Sequence, residues 1–115
     1  MRVSGSTARP LANVGLRVFP DEAGKMNRSL SDIGGEALIV SQFTLLANCR
    51  HGNRPDFLAS AKPGEAKRLY EYFTAQVKKT VSHVDSGVFG AHMEVSLLNN
   101  GPVTILLDTE ELKKK

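Results

Sequence analysis

The chain has 115 residues, 41% of them hydrophobic, which suits one folded domain with one core and excludes two domains, collagen, coiled coil and extensive disorder. Its formal charge of +3 depends on the C-terminal tail, because without Lys113, Lys114 and Lys115 twelve basic residues balance twelve acidic ones. The body is therefore neutral on average, and net charge alone does not predict a nucleic-acid-binding protein.

The cysteine and histidine content limits the cellular location of the protein and the kinds of site that it can form. Cys49 is the single cysteine, so an intramolecular disulfide is excluded and a reducing, cytoplasmic location is predicted. No apolar run approaches the ~20 residues of a membrane helix, so we expect no membrane partner. The three histidines lie far apart in sequence, and no glycine-rich nucleotide motif is present, which predicts neither a metal site nor a cofactor.

The N-terminal half predicts short elements. Residues 1–15 mix Gly, Ser, Pro and Arg without periodicity and predict an irregular leader. Residues 16–19 predict a strand, and residues 20–24 have the Pro, Asp and Gly of a turn. The apolar run 37–40 predicts a strand that is buried on both faces and extends into Phe43.

The C-terminal half predicts one helix and a hairpin. Residues 48–63 form a basic loop, after which apolar residues recur at three and four positions from Pro63 to Val81, as in an amphipathic helix. Residues 95–98 and 103–107 predict two strands, joined by an Asn-Gly turn. With no βαβ alternation, the order predicts an α+β fold with a mainly antiparallel sheet, a single domain over 16–110 and a basic tail over 111–115.

Two short segments have residues that core packing does not explain. Ser41, Gln42 and Thr44 follow directly on the most apolar strand, either because the strand emerges into solvent or because a site lies at its end. Gly101-Pro102 stands where the hairpin closes. A trans bond there makes an ordinary turn, whereas a cis bond turns two carbonyls the same way and forms a rigid prong without side chains.

The sequences SQFTL at 41–45 and NNGPVT at 99–104 closely resemble the motifs of D-aminoacyl-tRNA deacylases, as do LRVFPDEAGKMNRSL, GNRPDF and GVFGAHMEVSL. The resemblance extends from about residue 16 to residue 108. It implies a homodimer of open, barrel-like α+β subunits without a cofactor. It also implies hydrolysis of the ester between a D-amino acid, or glycine, and the 3′-terminal adenosine of tRNA, with no DNA partner.

The resemblance implies a role for each motif. The pocket that receives the aminoacyl group would comprise Ser41, Gln42, Phe43 and Thr44. The pocket for the terminal adenine would comprise Phe89, Gly90, Ala91 and Met93. Gly101 and Pro102 would form a Gly-cisPro prong that enters the partner subunit's pocket and rejects L side chains. We expect the tRNA phosphates to contact Arg50, Arg54, Lys62, Lys67 and Arg68, unless these residues form only a solvated charged face.

Ester hydrolysis requires an activated nucleophile and a stabilised oxyanion. Backbone N–H groups around Phe43 and Thr44 are the candidates for the oxyanion site. Neither motif includes a carboxylate or a histidine as general base, which agrees with assistance by the 2′-hydroxyl of the tRNA, as the resemblance implies. The alternative makes the Thr44 hydroxyl the nucleophile.

The N-terminus departs from the family. Its members open with a block of strands and a helix before the LRVF segment, and here fifteen irregular residues take that place. We therefore expect an incomplete barrel with exposed sheet edges. Three hypotheses follow: a shortened deacylase that still binds tRNA, a catalytically inactive tRNA- or RNA-binding remnant, or an incomplete gene model.

Overall fold

The computed structural model describes residues 14–101 and 103–112. Its elements, in chain order, are β1 (Phe19–Pro20), β2 (Met26–Arg28), α1 (Leu30–Ile33), β3 (Ala37–Ile39), a 3₁₀ helix (Phe43–Leu46), α2 (Pro63–Lys78), β4 (Val84–Ser86) and α3 (Thr109–Leu112). In the described part of the chain, no helix is long and apolar enough to cross a membrane.

The first two strands form an antiparallel pair, of which the sequence predicted only one strand: the strand expected over 16–19 keeps Phe19 alone in β1, and β2 was not predicted. Phe19 in β1 lies opposite Arg28 in β2. The turn between them is organised by Asp21, whose carboxylate accepts hydrogen bonds from the backbone N–H groups of Ala23 at 2.9 Å and Lys25 at 3.0 Å. The Lys25 hydrogen bond is the main cause that lowers the pKa of Asp21 below its ordinary value. The predicted turn at 20–24 is confirmed.

Helix α1 was not predicted, although its capping signal is in the sequence. The Ser29 hydroxyl accepts from the backbone N–H of Asp32 at 3.1 Å, and the Asp32 carboxylate accepts from the backbone N–H of Ser29 at 2.9 Å. This is a capping box. Gly34 ends the helix with a φ of 61°, a left-handed conformation that favours glycine.

The second sheet is parallel. β3 pairs with β4 in register, with Ala37 opposite Val84 and Ile39 opposite Ser86, and α2 connects the two strands. The prediction of an antiparallel sheet with one long helix is confirmed by β1, β2 and α2, but the expectation that the chain has no βαβ unit is wrong. β4 escaped prediction because its sequence, Val-Asp-Ser, has a single apolar residue.

One face of α2 supplies half of the buried core cluster. The buried cluster comprises Val14, Ile39, Tyr70, Phe73, Val77 and Val81. The helical spacing predicted from Pro63 onwards is confirmed, although the helix ends at Lys78 and Val81 packs after it. Val14 is only 4% exposed, so this residue of the predicted leader belongs to the core. Residues 1–13 of that leader lie outside the described residues.

Strand β3 differs from its prediction in two respects. Leu38 is 61% exposed, because α2 covers one face of the strand and no described element covers the other. Phe43 does not extend the strand: it begins the 3₁₀ helix and is exposed. The expectation of a strand buried on both faces and continuing to Phe43 is therefore wrong.

The predicted C-terminal hairpin is also wrong. Residues 92–100 and 103–108 contain no strand, and their apolar side chains are largely exposed. A strand requires a neighbouring strand for its backbone hydrogen bonds, and none of the described strands pairs with residues 95–98 or 103–107. The described strands form two separate two-stranded sheets, so the barrel-like arrangement stays a prediction. Helix α3 overlaps the start of the predicted tail, of which residues 113–115 lie outside the described part.

Candidate functional site

A cleft of about 950 Å³ opens beyond the carboxyl ends of β3 and β4. In sheets with parallel strands this end is the usual place for a ligand, because the chain leaves adjacent strands there and the loops diverge. One wall follows β3, a second follows β4, and the third comprises residues 59–61 with the start of α2. Most of the lining is apolar, which suits a cleft that excludes water from an organic ligand.

The floor of the cleft is fixed by Tyr70 of α2. Its hydroxyl group lies 3.0 Å from the carbonyl oxygen of Ile39 and 3.0 Å from that of Gly87, the acceptors for its proton. The backbone N–H of Gly87 also donates to the Ile39 carbonyl at 2.9 Å. The ring of Phe89 packs against Tyr70, with 5.9 Å between ring centroids. Helix and strands are therefore joined at the point where the two walls begin.

The first wall contains three of the four residues predicted for the aminoacyl pocket, Ser41, Gln42 and Phe43. Phe43 packs edge-on against the ring of Phe57, at 5.0 Å, and its carbonyl accepts from the Ser60 hydroxyl at 3.4 Å. Thr44 does not line the cleft: it is exposed, and its hydroxyl accepts a hydrogen bond from the Gln42 side chain. Among the described residues, no side chain caps the 3₁₀ helix at Gln42.

The second wall contains all four residues predicted for the adenine pocket, Phe89, Gly90, Ala91 and Met93. A turn holds them, with the Ala91 N–H donating to the Val88 carbonyl at 3.1 Å. Gly87 lies directly beneath: a Cβ on it would lie 2.6 Å from the Met93 sulfur, closer than real Cβ contacts come. Glycine at this position therefore allows Met93 its place in the cleft.

A family model described as D-Tyr-tRNA(Tyr) deacylase matches residues 7–108. The chain belongs to this deacylase family. A D-aminoacyl-tRNA deacylase from Thermus aquaticus is 59% identical over 96 residues, 84% of this chain and 63% of the relative. One from Ruegeria pomeroyi is 61% identical over 93 residues, 81% of this chain and 64% of the relative. The chain thus spans just under two thirds of the length of these curated relatives.

A solved structure of the c-Myc DNA Unwinding Element Binding Protein is also similar. It aligns with a TM-score of 0.79 at 37% identity and covers 94% of this chain and 76% of its own. The fold around the cleft therefore also occurs in a solved structure, in addition to the sequence similarity to deacylases.

Gly101, the described residue of the predicted prong in this deacylase-family chain, does not line the cleft. Gly101 is exposed and has a φ of 152°, and a Cβ on it would lie 2.9 Å from the backbone nitrogen of Val103, so the position favours glycine. Pro102 lies outside the described residues. Gly101 therefore does not fill the cleft of its own chain.

The basic residues predicted to contact phosphate are all exposed. Arg68 differs from the others because its guanidinium binds the Glu65 carboxylate on the same helix, at 3.0 Å and 2.6 Å. The pair raises the pKa of Arg68 and lowers the pKa of Glu65, and in both cases the side-chain hydrogen bond is the main cause. A phosphate would therefore compete with Glu65 for Arg68.

Two cleft residues were missed by the sequence analysis. Tyr70 was taken only as a core residue, because helical spacing reveals a buried face but not where a hydroxyl group lies. His92 lines the cleft beside Ala91 and Met93, and that adjacency in sequence was the available signal. No group of His, Cys, Asp and Glu suited to a metal ion occurs among residues 14–101 and 103–112.

Proposed function

We propose that this chain is a D-aminoacyl-tRNA deacylase, which hydrolyses the ester between a D-amino acid, or glycine, and the 3′-terminal adenosine of tRNA. One observation carries the proposal: a single apolar cleft places the segment after β3 opposite the segment after β4. The names of the relatives from Thermus aquaticus and Ruegeria pomeroyi support the same activity.

The two walls correspond to the two halves of the substrate. The aminoacyl group would lie against Ser41, Gln42 and Phe43, and the adenine would lie between Phe89 and Met93. An aromatic ring and a thioether suit the flat, polarisable face of a base. The ester bond would then cross the cleft above Tyr70.

Hydrolysis follows from groups that the cleft and the substrate bring together. Water attacks the ester carbonyl, the resulting oxyanion accepts hydrogen bonds from backbone N–H groups at Phe43 and Thr44, and the bond to the ribose 3′-oxygen breaks. The 2′-hydroxyl of the terminal ribose relays a proton to the departing 3′-oxygen. The start of a 3₁₀ helix suits the oxyanion because its first N–H groups have no intrahelical acceptor.

The environment of Thr44 favours this route over a threonine nucleophile. Its hydroxyl bonds to the carboxamide of Gln42, and a carboxamide is not a base. A threonine nucleophile needs an adjacent base to remove its proton. Thr44→Ala should therefore retain most hydrolysis, and a variant that binds tRNA normally but has lost hydrolysis would favour the threonine mechanism.

Selection against L-substrates would depend on a homodimer. We infer that the Gly101-Pro102 prong of one subunit enters the cleft of the other, where its carbonyls face the substrate α-carbon and clash with an L side chain. The exposure of Gly101 and its position outside its own cleft support this arrangement. A glycyl ester has no side chain that could clash with the prong, so it would also be accepted.

The tRNA backbone would bind mainly to the basic loop. Arg50, Arg54 and Lys62 lie in or beside that loop, whose end forms the third wall of the cleft. Lys67 and Arg68 extend the basic surface along α2. The proposed enzyme works in the cytoplasm, on tRNA rather than DNA or membranes, and uses no cofactor.

The decisive experiment compares D-tyrosyl-tRNA with L-tyrosyl-tRNA and follows the loss of each ester. Selective loss of the D-ester supports the proposal, equal loss of both contradicts the prong, and binding without loss indicates an RNA-binding module. Ala91→Phe should abolish hydrolysis by filling the adenine pocket. Ala75→Phe, on the exposed side of α2, is its matched control and should leave hydrolysis unchanged.

A further inference from the structure

The two halves of the cleft begin at Ile39 and Gly87. Ile39 is the last residue of β3 and precedes the wall that contains Ser41 to Phe43. Gly87 follows the last residue of β4 and precedes the wall that contains Phe89 to Met93. Beyond these two residues the walls diverge, so the distance between them is set here.

Tyr70 connects these two points. Its hydroxyl group is 3.0 Å from each of the two carbonyl oxygens, and the tyrosine is 9% exposed. A hydroxyl group has one proton, so Tyr70 donates it to both carbonyls in a bifurcated bond or to one of them at a time. The hydroxyl thus adds to the 2.9 Å hydrogen bond from the backbone N–H of Gly87 to the Ile39 carbonyl, and both contacts oppose separation of the two walls.

We propose that the Tyr70 hydroxyl group is a positioning group that sets the spacing between the aminoacyl and adenosine halves of the site. The inference deepens the proposed function and rests on it. An ester that spans two pockets is hydrolysed only when both halves of the substrate are held at one fixed distance, and a displacement of about 1 Å can cost about 100-fold in rate.

The alternative is that Tyr70 serves only to pack the core. Its ring does belong to the buried cluster with Ile39, Phe73 and Val77. Phenylalanine would retain that packing and remove only the hydroxyl group. Tyr70→Phe therefore separates the two roles, provided that each half of the site is measured by itself.

Tyr72 provides the matched control. It lies on the same helix and is half-buried, but it does not line the cleft, and its hydroxyl makes no hydrogen bond to another described residue. Tyr72→Phe removes the same atom from the same helix without touching either wall.

The experiment measures two probes and one reaction in the full chain. The probes are adenosine, which occupies one half of the site, and 3′-deoxy-3′-(D-tyrosylamino)adenosine, a stable amide analogue that occupies both halves. The reaction is hydrolysis of D-tyrosyl-tRNA. For Tyr70→Phe we expect unchanged affinity for adenosine, about tenfold weaker binding of the linked analogue, and a kcat lowered about tenfold to 100-fold. Tyr72→Phe should match the unsubstituted chain in all three.

Each other outcome counts against the inference. Equal losses for adenosine and for the linked analogue, or a Tyr70→Phe chain that circular dichroism shows to be unfolded, would assign the hydroxyl to stability alone. Hydrolysis and binding identical to those of Tyr72→Phe would overturn the positioning role and leave the proposed function standing. If the unsubstituted chain neither binds the analogue nor hydrolyses D-tyrosyl-tRNA, the proposed function fails first and the inference falls with it.

Discussion

The unit β3–α2–β4 and the segment that follows it, residues 92–101 and 103–108, are both rich in apolar residues but differ in apolar pattern and in structure. In the unit, apolar residues at helical spacing are buried against two parallel strands. In the segment, apolar residues that alternate like those of a strand are exposed, and Leu98 is 91% exposed. Apolar residues have therefore formed a core in the first region, whereas no described strand pairs with the apolar residues of the second.

The two regions differ because a helix and a strand obtain their backbone hydrogen-bond partners from different parts of the chain. A helix satisfies its backbone hydrogen bonds within its own sequence, so α2 needs only a surface to cover. A strand finds its partners elsewhere in the chain or in another chain. Val95, Leu97, Val103 and Ile105 have the pattern of strands, but the described residues place no strand beside them.

The largest expected effect tests whether the two regions differ in stability. Phe73→Ala should lower the free energy of unfolding by about 3–5 kcal/mol, because it removes a ring that is 9% exposed from the core. Leu98→Ala should change it by less than about 0.5 kcal/mol. Urea denaturation of both variants measures the comparison. A large loss for Leu98→Ala would show that this segment is packed in solution, against a partner.

The second prediction concerns Gly87, which connects the unit β3–α2–β4 to the residues that follow it. Gly87→Ala should push the Met93 side chain out of its place, because the new Cβ would lie 2.6 Å from the sulfur. We expect adenosine to bind about tenfold more weakly, roughly 1.4 kcal/mol, while the fold is kept because the thioether can move. Calorimetric titration with adenosine measures the change.

Gly64→Ala is the control for that substitution. Gly64 lies in the first turn of α2, and a Cβ there would meet nothing within 4 Å. It should stabilise the helix by up to about 1 kcal/mol and leave adenosine binding unchanged. If both variants bind adenosine normally, Met93 has no part in the pocket.

A smaller effect concerns the edge of the packed unit. Ser29→Ala should destabilise the fold by about 1 kcal/mol, because it removes the cap of α1, whose Leu30 packs against the core. The hydrogen bond from the Ser29 backbone N–H is the main cause that lowers the pKa of Asp32 below 3.8. A lowered carboxyl pKa stabilises the fold above the unfolded value and loses that contribution as the pH falls through the folded value.

Ser29→Ala keeps the backbone N–H and removes only the side-chain hydrogen bond, the second cause of the lowered pKa of Asp32, so the stability difference from the unsubstituted chain should shrink only in part as the pH falls below 3.8. Thermal unfolding followed by circular dichroism at pH 7 and pH 3 measures it. A difference that does not change with pH would mean that the charge of Asp32 takes no part in the cap.

The smallest expected effect is a difference in the salt dependence of tRNA binding between substitutions in the basic loop and on α2. Arg54→Ala should reduce the salt dependence of tRNA binding by about one unit in the slope of log K against log salt. Arg68→Ala should reduce it less, because Glu65 already neutralises that guanidinium. Filter binding over a range of salt concentrations gives both slopes. Equal slopes would mean that the phosphate displaces Glu65.

The sequence predicted those parts of the fold that depend on local chemistry. The turn around Asp21, the amphipathic helix from Pro63 and the burial of Ile39 are each encoded within a few residues. The pockets were predicted from the resemblance to deacylases, and the cleft contains seven of their eight residues, while Thr44 bonds to Gln42 and does not line it. The parallel pairing of β3 with β4 was missed because Asp85 and Ser86 are polar, so β4 lacks the apolar pattern that predicts a strand.

The family, the long helix and the residues around the cleft thus followed from the order of amino acids, since side-chain spacing and motifs are properties of the chain. Only the tertiary structure decided that Leu38 is exposed, that the predicted hairpin is unpaired, and that the Tyr70 hydroxyl joins the two walls. Each of these depends on which distant segments meet. Contacts between distant segments are fixed by packing and by hydrogen-bond partners rather than by local pattern.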